Sequence, residues 1–301
     1  MKTPNQKIES PILDEKEVTL FIKREDTIHP LISGNKFRKL KYNLLEAQNQ
    51  GQDTLLTFGG AFSNHIAAVA CVGHEQGLKT IGVIRGEELE GNWQDNPTLQ
   101  LAHNHGMQFH FVSRSAYRNK TNTDFLQHLK NTFGEFYLLP EGGTNELAIK
   151  GCAEILNEDD TIFDYICSSV GTGGTVAGII NSTQPHQNVL GFPALKGEFL
   201  KADISTFAQN ERWQLAADYH FGGYAKVTPE LVEFINRFKK GTGISLDPIY
   251  TGKLVFGIFE RIKQDFFPKG AQILAIHTGG LQGIKGMNQV LEQKKLPLLD
   301  V

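Results

Sequence analysis

The chain has 301 residues, of which 40% are apolar and 21% charged. That length exceeds one small core and suits two α/β lobes, and the composition excludes wholesale disorder. A formal net charge of −3 gives no electrostatic footprint for a nucleic-acid partner.

Taken in chain order, the N-terminal MKTPNQKIES is polar and has no apolar signal core. VTLFI (18–22) reads as the first strand. LISGNKFRKL (31–40) then sets a Gly-Asn turn before a segment of helical period, NKFRKLKYNLLEAQNQ, and crowds Lys36, Arg38 and Lys39 together. Either this helix has a basic, solvated face, or Lys36 is aimed inward. DTLLTF (53–58) is a strand that ends in GGAFSNH, where Ser63, Asn64 and His65 open an apolar helix. Ser63 or Asn64 could simply cap that helix; alternatively the loop is an anion cradle sized for a carboxylate, with Asn64 and His65 as donors. TIGVI (80–84), MQFHFV (107–112) and FYLL (136–139) continue the strand series. IAAVACVG, the most apolar short run, falls far below the ~20 residues of a membrane span.

PEGGTNE (140–146) is a break, followed by a helical pattern, ELAIKGCAEILNE. FDYICSS (163–169) is a strand that runs into GTGGT: Gly171, Thr172, Gly173, Gly174 and Thr175, then a helix. Glycines let the backbone approach an anion, hydroxyls add donors, and the helix supplies free N–H groups. The spacing fits neither a dinucleotide fingerprint nor a Walker loop. A tight strand-to-helix turn would use the same residues. NVLGF (188–192) and QILAI (272–276) are further strands, the latter ending in HTGG. Between them LDPIYTGK (246–253) makes a Pro turn before a helix, with Tyr250 at its start.

Strands alternating with helices imply βαβ units, mostly parallel sheets and right-handed crossovers. The middle block reads as an inserted small α/β domain, 51–145, within a large domain built from 1–50 and 146–301. Three widely spaced cysteines, Cys71, Cys152 and Cys167, argue for a reducing, cytoplasmic compartment over a disulfide framework. No metal site is expected: His103 and His105 stand two apart without a third ligand, and read as a helix end. In open α/β sheets ligands bind at the carboxyl ends of strands. A phosphate loop, a carboxylate loop and an unusual lysine at such ends suggest pyridoxal 5'-phosphate (PLP) and a small amino-acid substrate.

GNKFRKL, GGAFSNH, GTGGT, LDPIYTGK and HTGG, in this order over about residues 19–283, resemble the D-cysteine desulfhydrase and 1-aminocyclopropane-1-carboxylate (ACC) deaminase family. The resemblance implies the two-domain, open twisted, mostly parallel fold of the tryptophan synthase β subunit (fold type II of PLP enzymes), and a homodimer. It implies that Lys36 binds PLP covalently and that Asn64 contacts the ring's phenolic oxygen. Ser63 and His65, with nearby backbone N–H groups, would hold the substrate carboxylate. Gly171 to Thr175 would hold the phosphate. Tyr250 would face the substrate as a second acid/base, and Tyr224, in FGGYAKV, would be a second site tyrosine. Thr251, Thr278 or both would lie near the pyridine nitrogen.

Burial beside the cofactor should depress the pKa of Lys36. In the deaminase pattern a glutamate follows the tyrosine; here Thr251 does. A neutral hydroxyl there suits β-elimination (a C–S lyase) better than ring opening, so the expectation is pyruvate, ammonia and sulfide from a small amino acid. ACC deamination, giving 2-oxobutyrate and ammonia, or a hydroxyamino-acid dehydration, are the alternatives on the same scaffold. The segment 193–226 is shorter than in the better-known desulfhydrases, and RGEELEGNWQDN differs. A non-catalytic anion binder would have no need of an inward Lys36.

Overall fold

The computed structural model describes residues 1–197 and 199–300. Ten strands appear in it: β1 (Asn5–Ile8), β2 (Thr19–Lys23), β3 (Thr54–Gly59), β4 (Lys79–Arg85), β5 (Met107–Val112), β6 (Tyr137–Leu139), β7 (Tyr165–Val170), β8 (Asn188–Pro193), β9 (Trp213–Leu215) and β10 (Gln272–Ile276). They form two sheets, ordered β1-β2-β10-β7-β8-β9 and β5-β4-β3-β6. Only the β1–β2 pair is antiparallel. The protein is therefore an α/β fold with mostly parallel sheets, as the alternation of elements implies. Residues 54–139 supply every strand of the smaller sheet, and the flanking parts of the chain supply the larger one.

Parallel strands covered on both faces need continuous apolar sequence. All six residues of β3 are buried, and so are the last four of β10. The pleat sends alternate residues to opposite cores. Ile273 and Ala275 of β10 join one cluster, while Leu274 and Ile276 join the cluster on the other face. The two strands that sequence reasoning missed are edges. β1, NQKI, buries only Ile8, and β9 has three residues, none fully buried.

Four helices matter to the site: α1 (Asn35–Asn49), α2 (Asn64–Gln76), α3 (Gly174–Ser182) and α4 (Thr251–Lys263). The helix before His105 ends at Asn104, with His103 in its last turn. No helix among the described residues is long and apolar enough to cross a membrane.

Beneath the larger sheet lies a buried ion pair. Lys23 Nζ donates to both carboxylate oxygens of Asp160, at 2.8 and 3.1 Å, with side-chain exposures of 0% and 1%. Asp160 also accepts from Asn5 Nδ2 and from the Asn157 amide. It thus ties β1, β2 and the approach to β7 together. Removing one partner of such a pair strands the other charge in a dry interior, at a cost of roughly 3–5 kcal/mol. Asp160→Ala should lose stability on that order in denaturant titrations, and Lys23→Met with Asp160→Leu should recover most of it.

Candidate active site

The carboxyl ends of both sheets face one cavity of about 670 Å³. The larger sheet brings Ser169 at the end of β7, the turn after it, and Thr278 after β10; the smaller brings the loop after β3, Arg85 at the end of β4, and Glu141.

Lys36 enters from the first turn of α1. The residue before that helix, Gly34, has φ +62°, and a Cβ there would lie 1.9 Å from the Thr278 carbonyl oxygen. Only glycine allows this approach, and the close packing of α1 on the end of β10 sets where Lys36 points. Its Nζ makes no hydrogen bond or ion pair among the described residues, and the side chain lines the cavity. Burial, then the neighbouring Lys39 ammonium, lower its pKa to about 7. Lys39, one turn on, differs: its Nζ donates to Gly142 O and Thr144 Oγ1, both at 2.9 Å. Sequence reasoning missed Lys39 as a cavity residue, although its i,i+3 spacing from Lys36 puts the two on one helix face.

The 171–175 turn leaves β7 and becomes the N-terminus of α3. Gly173 has φ +83° and Gly174 is the first helical residue, so the free amides of α3 open toward the cavity end of the turn. Gly171, Thr172, Gly173 and Thr175 line the cavity; Gly174 faces Thr144 instead. Asn35 Nδ2 donates to Thr175 Oγ1 at 2.7 Å, which fastens the start of α1 to this turn. Thr172 and Thr144 share a 2.6 Å hydroxyl contact, which continues to Lys39.

On the opposite wall, Ser63 is the N-cap of α2, its Oγ accepting from the Ile66 amide at 3.3 Å. The capping and cavity-lining readings of Ser63 thus coexist. Asn64 Oδ1 accepts from Gln282 Nε2 at 3.0 Å, leaving its own amide protons free. His65 departs from expectation. Thr57 gives its one hydroxyl proton to Leu139 O, so its 2.9 Å contact with His65 Nε2 requires the ring to donate. The other nitrogen, Nδ1, is a buried acceptor without a partner. Burial, with Lys36 and Lys39, holds the ring well below its usual pKa. A neutral His65 whose N–H is spent on Thr57 offers no donor to a carboxylate.

Tyr250 caps α4, and its ring lies against Gly171, where an added Cβ would sit 3.2 Å from Cε1. Burial and the adjacent Tyr224 push its phenol well above the usual value. Tyr224, 42% exposed, meets it edge to face with ring centroids 6.3 Å apart. Thr251 is a second correction. It is fully buried outside the cavity lining, and its hydroxyl donates to Asp247 Oδ2 at 2.7 Å. The Asp247 carboxylate also accepts from the Ile249, Tyr250 and Thr251 amides, so it organises the turn that leads into α4. Thr278 does line the cavity, with its Oγ1 3.2 Å from Ser169 Oγ. No group of three or more metal-ligating side chains occurs among the described residues.

These groups fit PLP: an unpaired amine, a Gly/Thr turn on a helix N-terminus, and free amide and hydroxyl donors between them. The family model for pyridoxal-phosphate dependent enzymes matches residues 2–279. A protein of Thermotoga maritima named putative 1-aminocyclopropane-1-carboxylate deaminase is 34% identical over 289 residues, covering 88% of this chain and 89% of that one. The bifunctional D-cysteine desulfhydrase/1-aminocyclopropane-1-carboxylate deaminase of Arabidopsis thaliana, a mitochondrial protein, is 31% identical over 88% of this chain and 73% of its own. The crystal structure of an ACC deaminase homologue superposes with a TM-score of 0.82 at 29% identity, covering 97% of this chain and 94% of that one. A cleft assembled around a desolvated lysine and a Gly/Thr turn thus agrees with matches over nearly the whole chain: it belongs to the family of pyridoxal-phosphate dependent enzymes.

Proposed function

We propose that the enzyme catalyses β-elimination from a small amino acid in the manner of a D-cysteine desulfhydrase, releasing pyruvate, ammonia and sulfide. The observation that carries this reading is Lys36: a desolvated amine without a partner, in the same cavity as the 171–175 turn. Bound PLP supplies an electron sink for the pair left at the substrate α-carbon when its proton departs.

The chain's own groups do the rest. Lys36 Nζ, neutral above about pH 7, binds the cofactor covalently and, once freed, accepts the α-proton. The amides at the start of α3 and the hydroxyls of Thr172 and Thr175 hold the phosphate, with the Lys39 ammonium behind them. Ser63, the α2 amides and the Asn64 side chain orient the substrate carboxylate and the ring oxygen. Tyr250 keeps its proton well above the usual phenol range, so it serves as a donor to the leaving sulfur. Ser169 and Thr278 offer neutral hydroxyls, not a carboxylate, to the ring nitrogen, which favours elimination over ring opening.

ACC deamination is the second reading, favoured by the names of relatives that match most of the chain. The three cysteines are buried free thiols, which fits a cytoplasmic setting, and we take the active form to be a homodimer, checked by sedimentation.

α-Keto acid release from D- and L-amino acids and ACC should show pyruvate from a cysteine and no 2-oxobutyrate from ACC; the reverse pattern selects the deaminase reading. Borohydride should fix the cofactor to Lys36, as read by peptide mass spectrometry, and Lys36→Ala should cut turnover by roughly 10³-fold or more. Only a neutral amine attacks an aldehyde, so recombination of the apoprotein with PLP should speed up as pH rises through about 7. A rate flat across that range contradicts the assignment.

A further inference from the structure

Lys253 lies in the first turn of α4, behind the cavity, with 1% exposure. A lysine this deep needs its ammonium satisfied. It donates to two main-chain carbonyls, His220 O and Gly223 O, both at 2.9 Å. No carboxylate lies within ion-pair distance of it among the described residues. Burial lowers its pKa to about 8, with Asp247 opposing the drop.

Both acceptors belong to one turn, and that turn is built against backbone preference. Phe221 has φ +52°, Gly222 +93°, Gly223 +120° and Ala225 +55°. A bulky residue such as Phe221 is strained in the left-handed region, so the turn depends on contacts outside itself. One is the Phe221 ring, edge to face with Phe256 of α4 at 4.9 Å. The other is the Lys253 ammonium. Between Gly223 and Ala225 stands Tyr224, half-exposed at the cavity, with its ring against Tyr250. Tyr250 and Lys253 stand three residues apart at the start of α4. One helix end therefore fixes both tyrosines: Tyr250 directly, and Tyr224 through the turn that Lys253 holds.

We propose that Lys253 is a positioning residue whose ammonium clamps the 220–225 turn onto α4 and thereby keeps Tyr224 against Tyr250 across the cleft. The kinetic part rests on the reading above, in which these tyrosines face the substrate; the clamp itself does not. An ammonium on a flexible stem can reach two carbonyls of different residues, whereas a methionine fills the same space and leaves His220 O and Gly223 O only their turn amides, from Gly223 and Lys226.

The test uses the PLP-loaded protein and the variants Lys253→Met, Tyr224→Ala and their combination. Backbone hydrogen exchange in Lys253→Met should rise about tenfold or more over 220–225 and stay unchanged at the 171–175 turn and α1. The visible absorbance of the cofactor should persist. kcat/KM should fall about tenfold in Lys253→Met, and the double variant should be no slower than its slower parent, because both changes remove one interaction. Should the Met variant not fold, Lys253→Gln replaces it: its shorter stem cannot span both carbonyls, so a smaller rise over 220–225 is expected, and no rise overturns the proposal. Unchanged exchange over 220–225, or penalties that multiply in the double variant, would overturn the proposal. An inactive wild type whose Met variant still shows the local exchange pattern counts for the clamp and against the elimination reading.

Discussion

Lys36 carries its amine into the cleft, where burial lowers its pKa and a second amine stands one helical turn away. Two like charges at i,i+3 on a buried face oppose each other. The protein resolves the conflict asymmetrically. Burial lowers the pKa of Lys39 as well, but its ammonium has two oxygen acceptors, Gly142 O and Thr144 Oγ1, that Lys36 lacks among the described residues. Lys36 receives none, and its pKa falls to about 7. A nucleophile at neutral pH is the consequence, and the other site groups gain meaning from it.

The surroundings maintain this arrangement through contacts that cross between sheets. Asn35 reaches Thr175, Lys39 reaches the 142–144 segment, and Thr144 reaches Thr172. The start of α1, the turn before α3 and the chain leaving the smaller sheet are thus one hydrogen-bonded unit. Gly34 lets α1 dock on the carbonyl of Thr278, where any larger residue would collide. The amine and the turn are held in register by backbone geometry as much as by side chains. This is the preorganisation that covalent catalysis on a bound cofactor requires.

Much of this was legible in the sequence because parallel strands and glycine turns leave strong local patterns. Eight strands follow from apolar runs, whereas β1 and β9 escape because an edge strand with one buried side, or none, has no such run. Lys36, Asn64, Tyr250 and the 171–175 turn stand out by residue type and order, and all of them but Gly174 line one cavity. Thr251 and His65 are placed differently from each other: Thr251 lies outside the cavity lining, and His65 lines it with one ring nitrogen turned to Thr57. Asp247 holds the Thr251 hydroxyl, whereas Thr57 engages only Nε2 of His65 and leaves Nδ1 without a partner among the described residues. Asp247 stands four residues before Thr251, within reach of a local side-chain bond, so that signal was present in the sequence. For His65 the partner sits on the preceding strand, and only the folded register reveals it. Arg85 and Glu141 reach the cavity from strand ends that carry no comparable pattern.

The account stands or falls on whether one ligand spans the amine and the turn. The direct measurement is the electron density of crystals of the PLP-loaded protein. It should be continuous from Lys36 Nζ to the cofactor ring, with the phosphate seated on the amides of residues 171–175. A free Lys36 amine in fully loaded crystals, or a phosphate bound away from that turn, would contradict it.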